Sequence, residues 1–178
     1  MKYTSKAFSK DGKDIEDMLQ MMDAGARMGA GRRAFPSGYF SPADIVLDRG
    51  CEMRIAKKMP LKMGEMGNCY MNAQKIAISE WGELLYAEGW ATYGGKSNLP
   101  VLHAWLVNKQ GHVLDPTWGP KIKGRAYYGV IIDTRYMMTR QLQTKRYGPI
   151  IDDWEYGHKL LKTPGLVAKV TTKCRRGR

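Results

Sequence analysis

The sequence predicts an α+β domain in which helices pack on a mainly antiparallel sheet. Three observations lead there. The stretch before residue 64 carries helical periodicity and turn signals, with no long β-rich run. Between residues 84 and 133 come segments rich in aromatic and β-branched residues, joined by short glycine-containing turns. After residue 134 helical spacing returns. Helices, then strands, then helices, without regular alternation, is the order of an α+β fold. At 178 residues the chain is long enough for one sizeable core and short for two. The expected organisation is a single domain over residues 1–165. Within it, residues 1–63 are helical, residues 64–133 form the core, and residues 134–165 return to helices. A basic tail, residues 166–178, follows.

The first helix is expected over Lys13–Met28, where Ile15, Met18, Leu19 and Met22 share a face and Gly29 and Gly31 provide a stop. "GRRAFPSGYF" reads as a loop. "SPADIVLDRG" is a compact helix signal: Ser41 caps it, Pro42 fits the first helical position, Asp44 lies in the first turn and Gly50 closes it. "RIAKKMPLKMG" is basic, and Pro60 and Gly64 break its periodicity. A helix from Cys69 to about Glu80 has Met71, Ala73, Ile76, Ala77 and Ile78 as its inward stripe. "LLYAEGWATY" (84–93) reads as a strand and "GGKSNLP" as a loop. "VLHAWLV" (101–107) and "HVLDPTW" (112–118) form two strands around a turn containing Gly111. "AYYGVIID" (126–133) is a further strand. "TRYMMTRQLQTKR" is a helix with Thr134 as its cap, and "DDWEYGHKLL" a short one. Trp81, Trp90, Trp105 and Trp118 read as core or cleft-wall aromatics.

Composition narrows the partners. The net charge is +12, a balance that favours anionic partners such as nucleic acid or acidic protein surfaces. No acidic residue follows Glu155, whereas Lys159, Lys162, Lys169, Lys173, Arg175, Arg176 and Arg178 do. Nucleic-acid binding through the tail is therefore an expectation, unaccompanied by any RNA-binding aromatic signature or helix-turn-helix pattern. No apolar run approaches the roughly 20 residues of a membrane-spanning helix. "MKYTSKAFSKDGKD" lacks a signal peptide's apolar centre, so a cytoplasmic protein without membrane contact is expected. Cys51, Cys69 and Cys174 are odd in number and far apart, which argues against a disulfide framework. With no C-x-x-C and no paired histidines at helical spacing, neither a metal nor a cofactor is expected. His112 and His158 have no matching partner, and Cys51 and Cys174 no matching base; all four read as ordinary structural residues.

The remaining chemistry centres on Cys69, His103 and Asp115. A free thiol has a pKa of about 8.5 and is a weak nucleophile at neutral pH. A helix N-terminus or a nearby imidazolium favours the thiolate, and Gly67 and Asn68 let the chain turn into the helix that begins at Cys69. The amides of that helix start are also placed to hold an oxyanion. Strand parity tests the other two residues. A turn pairing Val107 with Gly111 sets His103 opposite Asp115. A turn pairing Asn108 with His112 sets them diagonally on the same face. A two-residue turn would separate them. Gly111 favours the odd-length turns, so the aspartate is in reach to orient the imidazole.

"GNCYMNA", then "HAWL", then "LDPTW" resembles the transglutaminase-like superfamily of papain-like thiol enzymes. With "YAEGWA" and "YYGVIID", the chain is also similar to small uncharacterised proteins common in bacteriophages and bacteria. The resemblance covers residues 64–133. It implies a helix packed on an antiparallel sheet, Cys69 as nucleophile, His103 as general base and acid, and Asp115 as orienter. It implies hydrolysis, deamidation or acyl transfer at an amide or acyl group, on an acidic protein or small-molecule substrate. The glutamine that papain-like proteases carry shortly before the cysteine is absent, which leaves Asn68 and Tyr70 as oxyanion or substrate-contact candidates. An inactive basic binding module and a phage virion or accessory protein are the rival expectations.

Overall fold

The computed structural model describes residues 4–5, 9–29, 33–94, 99–119 and 125–176. Among them a mixed set of six helices and nine strands is formed. A short strand β1 (Thr4–Ser5) precedes helix α1 (Lys10–Gly29). That helix starts earlier than its apolar spacing suggests, because Ser9 Oγ accepts from Gly12 N at 3.0 Å and serves the first turn. Gly31, expected to help end it, lies outside the described residues. Helix α2 (Pro42–Arg49) is capped as its sequence implies: Ser41 Oγ accepts from Asp44 N at 3.1 Å, and Gly50 N donates to Val46 O at 2.8 Å.

Next come two strands that sequence reasoning misses, β2 (Cys51–Glu52) and β3 (Arg54–Ile55). Two-residue strands carry no periodicity to detect. Helix α3 spans Cys69–Ser79, followed by β4 (Leu85–Thr92), β5 (Val101–Val107), β6 (His112–Leu114) and β7 (Ala126–Ile132). Helix α4 (Thr134–Thr144) is capped by Asp133 rather than Thr134, since the Asp133 carboxylate accepts from Tyr136 N at 2.9 Å. The short helix expected over "DDWEYGHKLL" shrinks to α5 (Lys159–Lys162), preceded by turns and by His158 at φ +52°.

The segment read as a basic tail is built into the fold. It forms α6 (Leu166–Val170), with Val167 and Val170 buried, then β8 (Thr171–Thr172) paired with β7, and β9 (Arg175–Arg176) paired with β1. Cys174 is bonded to Cys51 in a disulfide, which corrects the expectation of unbridged cysteines. A separation of 123 residues leaves no local trace in the sequence.

The main sheet has the order β2-β7-β4-β5-β6-β3, with β8 attached to β7. Its pairings are antiparallel except for the parallel β3–β6. The two edge strands are consecutive in the chain, separated only by Met53, whose N–H donates to Tyr127 O at 2.8 Å. Edges joined so closely require a strongly curled, nearly closed sheet. Strand alternation then sorts the side chains. Tyr86, Trp90, Ala104, Leu106, Tyr128, Val130 and Ile132 face out against the helices. Ala87, Ala91, Trp105, Val107, Tyr127 and Ile131 fill the inside of the curl with Met53 and the disulfide. Both faces of β4, of β7 and of β5 after its first two residues are buried, so their runs show little polar alternation.

Candidate active site

The hairpin of β5 and β6 sets the site's geometry. Val107 pairs with Val113 and Leu106 with Leu114, while Asn108 N donates to His112 O at 3.0 Å. This is the diagonal register, made possible by Gly111 at φ +80°. His103 and Asp115 therefore share the inner face of the curl. His103 Nε2 lies 2.8 Å from Asp115 Oδ2. Asp115 is held by three further donors: Tyr127 Oη to Oδ2 at 2.6 Å, and Thr117 N and Trp118 N to Oδ1 at 2.8 and 3.0 Å. These bonds outweigh the burial that would favour its neutral acid, and its pKa lies below the ordinary carboxylate range. Burial of Tyr127, with the adjacent Asp115 charge, pushes that phenol up and keeps it a donor.

Cys69 arrives from the other side. It is the first residue of α3, a helix packed along β5, and the chain turns into it through Gly67 at φ +87°. Cys69 lies close enough to His103 to act on the imidazole. Nε2 is committed to Asp115, which leaves Nδ1 as the other ring nitrogen. Burial favours neutral His103, but Asp115 first and Cys69 second outweigh it, and its pKa is raised. The three groups are deeply set, with Cys69 9 %, His103 2 % and Asp115 0 % exposed.

Sequence reasoning places those three residues together and misses what holds them. The Trp118 ring lies flat on His103, centroids 3.8 Å apart and planes 13° from parallel; its sequence position marks it only as a core or cleft-wall aromatic. Asn72, one turn after Cys69, donates from Nδ2 to Glu65 O at 2.8 Å and to Thr117 Oγ1 at 3.0 Å. Gly64 N donates to Pro116 O at 2.7 Å. These bonds tie the helix carrying the sulfur to the turn carrying the carboxylate. The signal for Asn72 is a polar residue at i+3 from Cys69, on the same helical face. An apolar stripe passes over it: Met71, expected in that stripe, is only half-buried, whereas Asn72 and Gln74 are buried.

The oxyanion candidates fare differently. The Asn68 side chain donates from Nδ2 to Glu65 Oε2 at 2.7 Å and does not cap α3. The Tyr70 ring packs against the helix-side core, where burial first, then the charges of Glu88 and Cys69, raises its pKa. With no side-chain cap on α3, the amides of its first turn are the donors beside the sulfur.

A second buried polar cluster lies deeper. The Glu88 carboxylate accepts from Tyr86 Oη at 2.6 Å, from Ile150 N at 2.8 Å and from Ile151 N at 2.9 Å. Gln74 Nε2 donates to Tyr86 Oη at 2.9 Å and to Gly148 O at 2.8 Å, joining α3 to this loop. Burial raises the Glu88 carboxyl to about 7 despite its donors. Among the described residues, no group of three or more His, Cys, Asp or Glu side chains is placed to hold a metal ion, and no helix is long and apolar enough to cross a membrane. No protein-family model, curated protein or solved structure matches the chain.

Proposed function

We propose that the protein is a thiol enzyme with a papain-like or transglutaminase-like core, acting on an amide or related acyl group through a Cys69 thioester. The observation that carries this reading is an imidazole whose Nε2 lies 2.8 Å from Asp115, a carboxylate held by three further donors, beside a cysteine that begins a helix. His103 takes the thiol proton, and Asp115 supports the resulting imidazolium. The sulfur attacks the carbonyl carbon, and the oxyanion accepts hydrogen bonds from the first-turn amides of α3. As the C–N bond breaks, His103 returns the proton to the leaving amine. Water, or a second amine, then cleaves the thioester and regenerates the thiol. The chemistry serves hydrolysis, deamidation and transfer alike. Trp118 keeps water off one face of the imidazole.

The compartment follows from the cysteines. A disulfide such as Cys51–Cys174 persists in oxidising surroundings, so we favour such a compartment over the cytoplasm expected from the sequence.

The test compares iodoacetamide labelling of Cys69 from pH 5 to 9 in the wild type, His103→Ala and Asp115→Ala. Faster labelling of the wild type than of His103→Ala across this range, with Asp115→Ala between the two, is the expected outcome. A labelling profile identical in all three proteins removes the basis for the mechanism.

A further inference from the structure

The end of the curled sheet that holds the site is bordered by apolar side chains for which the proposed chemistry has no use. Val101 continues the inward-facing series of Trp105 and His103 to the start of β5, and is 46 % exposed. It pairs with Ala91 on β4. Tyr93 follows the end of β4 in the same inward series, is 45 % exposed, and meets the Trp118 ring edge-on at 5.3 Å. Met63, 44 % exposed, lies over Gly119, where an added Cβ would come within 3.1 Å of its Cε. Leu99 and Met66, just before Val101 and Cys69 in the chain, are exposed as well. Arg125 is buried and gives its Nε to Tyr93 O and its Nη1 to the carbonyls of Trp118 and Gly119.

Single exposed apolar residues are ordinary; a series beside a recessed nucleophile is not. An acyl donor bound with its carbonyl beside His103 has Val101, on the same face of β5, and Tyr93, packed on the Trp118 ring, as its apolar neighbours. We propose that the site selects donors bearing an apolar group next to the reacting carbonyl, an alkyl chain or a hydrophobic amino-acid side chain. This rests on Cys69 being the nucleophile. It departs from the acidic substrate suggested by the net charge of +12, because the exposed side chains around His103 and Trp118 are hydrocarbon while the overall charge acts at longer range.

The test uses activated esters, in which Cys69 Sγ bonds to the carbonyl carbon, p-nitrophenolate leaves, and water releases the acid. Compared are p-nitrophenyl acetate, p-nitrophenyl hexanoate, the mono-p-nitrophenyl ester of adipate, and the p-nitrophenyl esters of N-acetylglycine and N-acetylleucine. Intact mass reads acyl-Cys69, and p-nitrophenolate release reads the rate. Expected is acylation by hexanoate about ten-fold or more faster than by acetate, the gain available from burying a few methylenes. N-acetylleucine should likewise exceed N-acetylglycine if the natural group is a side chain, and lag behind hexanoate if it is a plain chain. Val101→Ser and, separately, the surface change Leu99→Ser should draw the hexanoate-to-acetate ratio toward one. A ratio near one in the wild type, faster reaction of the adipate ester than of hexanoate, or a ratio indifferent to both substitutions overturns the inference and leaves the nucleophile assignment standing. Failure of every ester to acylate Cys69 overturns both.

Discussion

Removing the Cys51–Cys174 disulfide by the double substitution Cys51→Ala/Cys174→Ala is expected to cost stability on a scale set by chain length. The bridge closes a loop of 123 residues in the unfolded chain. In the chain-entropy account, a loop of that size corresponds to about 16 cal/mol/K, or about 5 kcal/mol at 25 °C. The folded state contributes little to the difference. Cys174 N still donates to Arg49 O at 2.8 Å, and β8 stays paired with β7, so the C-terminal segment keeps its place without the bridge. A chain of 178 residues unfolds with an entropy of roughly 370 cal/mol/K. The melting temperature should therefore fall by about 13 °C. Urea unfolding of the oxidised wild type and the double variant reads the free energy directly, calorimetry reads the shift, and mass after alkylation without reductant counts free thiols. A stability loss under about 1 kcal/mol, or three alkylated cysteines in the untreated protein, would refute the reasoning. The first outcome would mean the unfolded chain gains nothing from release; the second, that the bridge does not form.

Two further outcomes concern the buried polar groups. Asn72→Ala removes two buried hydrogen bonds and leaves Thr117 Oγ1 short of a donor, so urea unfolding should show about 2 kcal/mol of lost stability; a loss under about 0.5 kcal/mol would show that the link between α3 and the Asp115 turn is idle. Stability should also fall as pH rises from 5.5 to 8. Glu88, raised from 4.5 to about 7, contributes stability that is full below its unfolded value and disappears through its folded one. Over that interval this amounts to about 2 kcal/mol. His103, also raised, acts in the same sense, with its contribution present below 6.5 and lost as pH climbs through its folded value. Asp115 is lowered and matters only at the acid end, its contribution disappearing as pH falls from 3.8 through its folded value. Urea unfolding at the two pH values checks the slope, and Glu88→Gln should flatten it. A slope of opposite sign, or one untouched by the substitution, contradicts the burial argument.

The features of this fold that are legible in the sequence are those governed by local rules. Ser41, Pro42 and Gly50 announce α2, and Gly111 with strand parity is enough to put His103 and Asp115 on one face. The start of α3 at Cys69 follows from Gly67 and Asn68. What escapes depends on distant partners. The two-residue strands on either side of Met53 exist only because β7 and β6 offer them edges. The basic run after Glu155 suggests a solvated end, yet Val167, Val170 and Cys174 within it are buried. Charge counted along a chain does not report which residues between the charges point inward. In the candidate site, Cys69, His103 and Asp115 are readable from spacing, whereas Trp118 over the imidazole and Asn72 across to Thr117 arise where α3 meets the hairpin. The same packing draws Asn68 and Tyr70 to other partners.

The joining of both sheet margins through Met53 has a consequence for synthesis. Residues 51–55 emerge from the ribosome long before residues 112–114 and 126–132, the segments that receive them. Until Tyr128 and Gly129 are out, Cys51 and Glu52 have no ladder to join, and Cys174 comes later still. The nascent chain must carry an unsatisfied ribbon until β7 emerges, and an unpaired thiol until Cys174 does. Ring closure is therefore expected only after residues 126–132 have emerged, and the oxidation only after Cys174 has followed them.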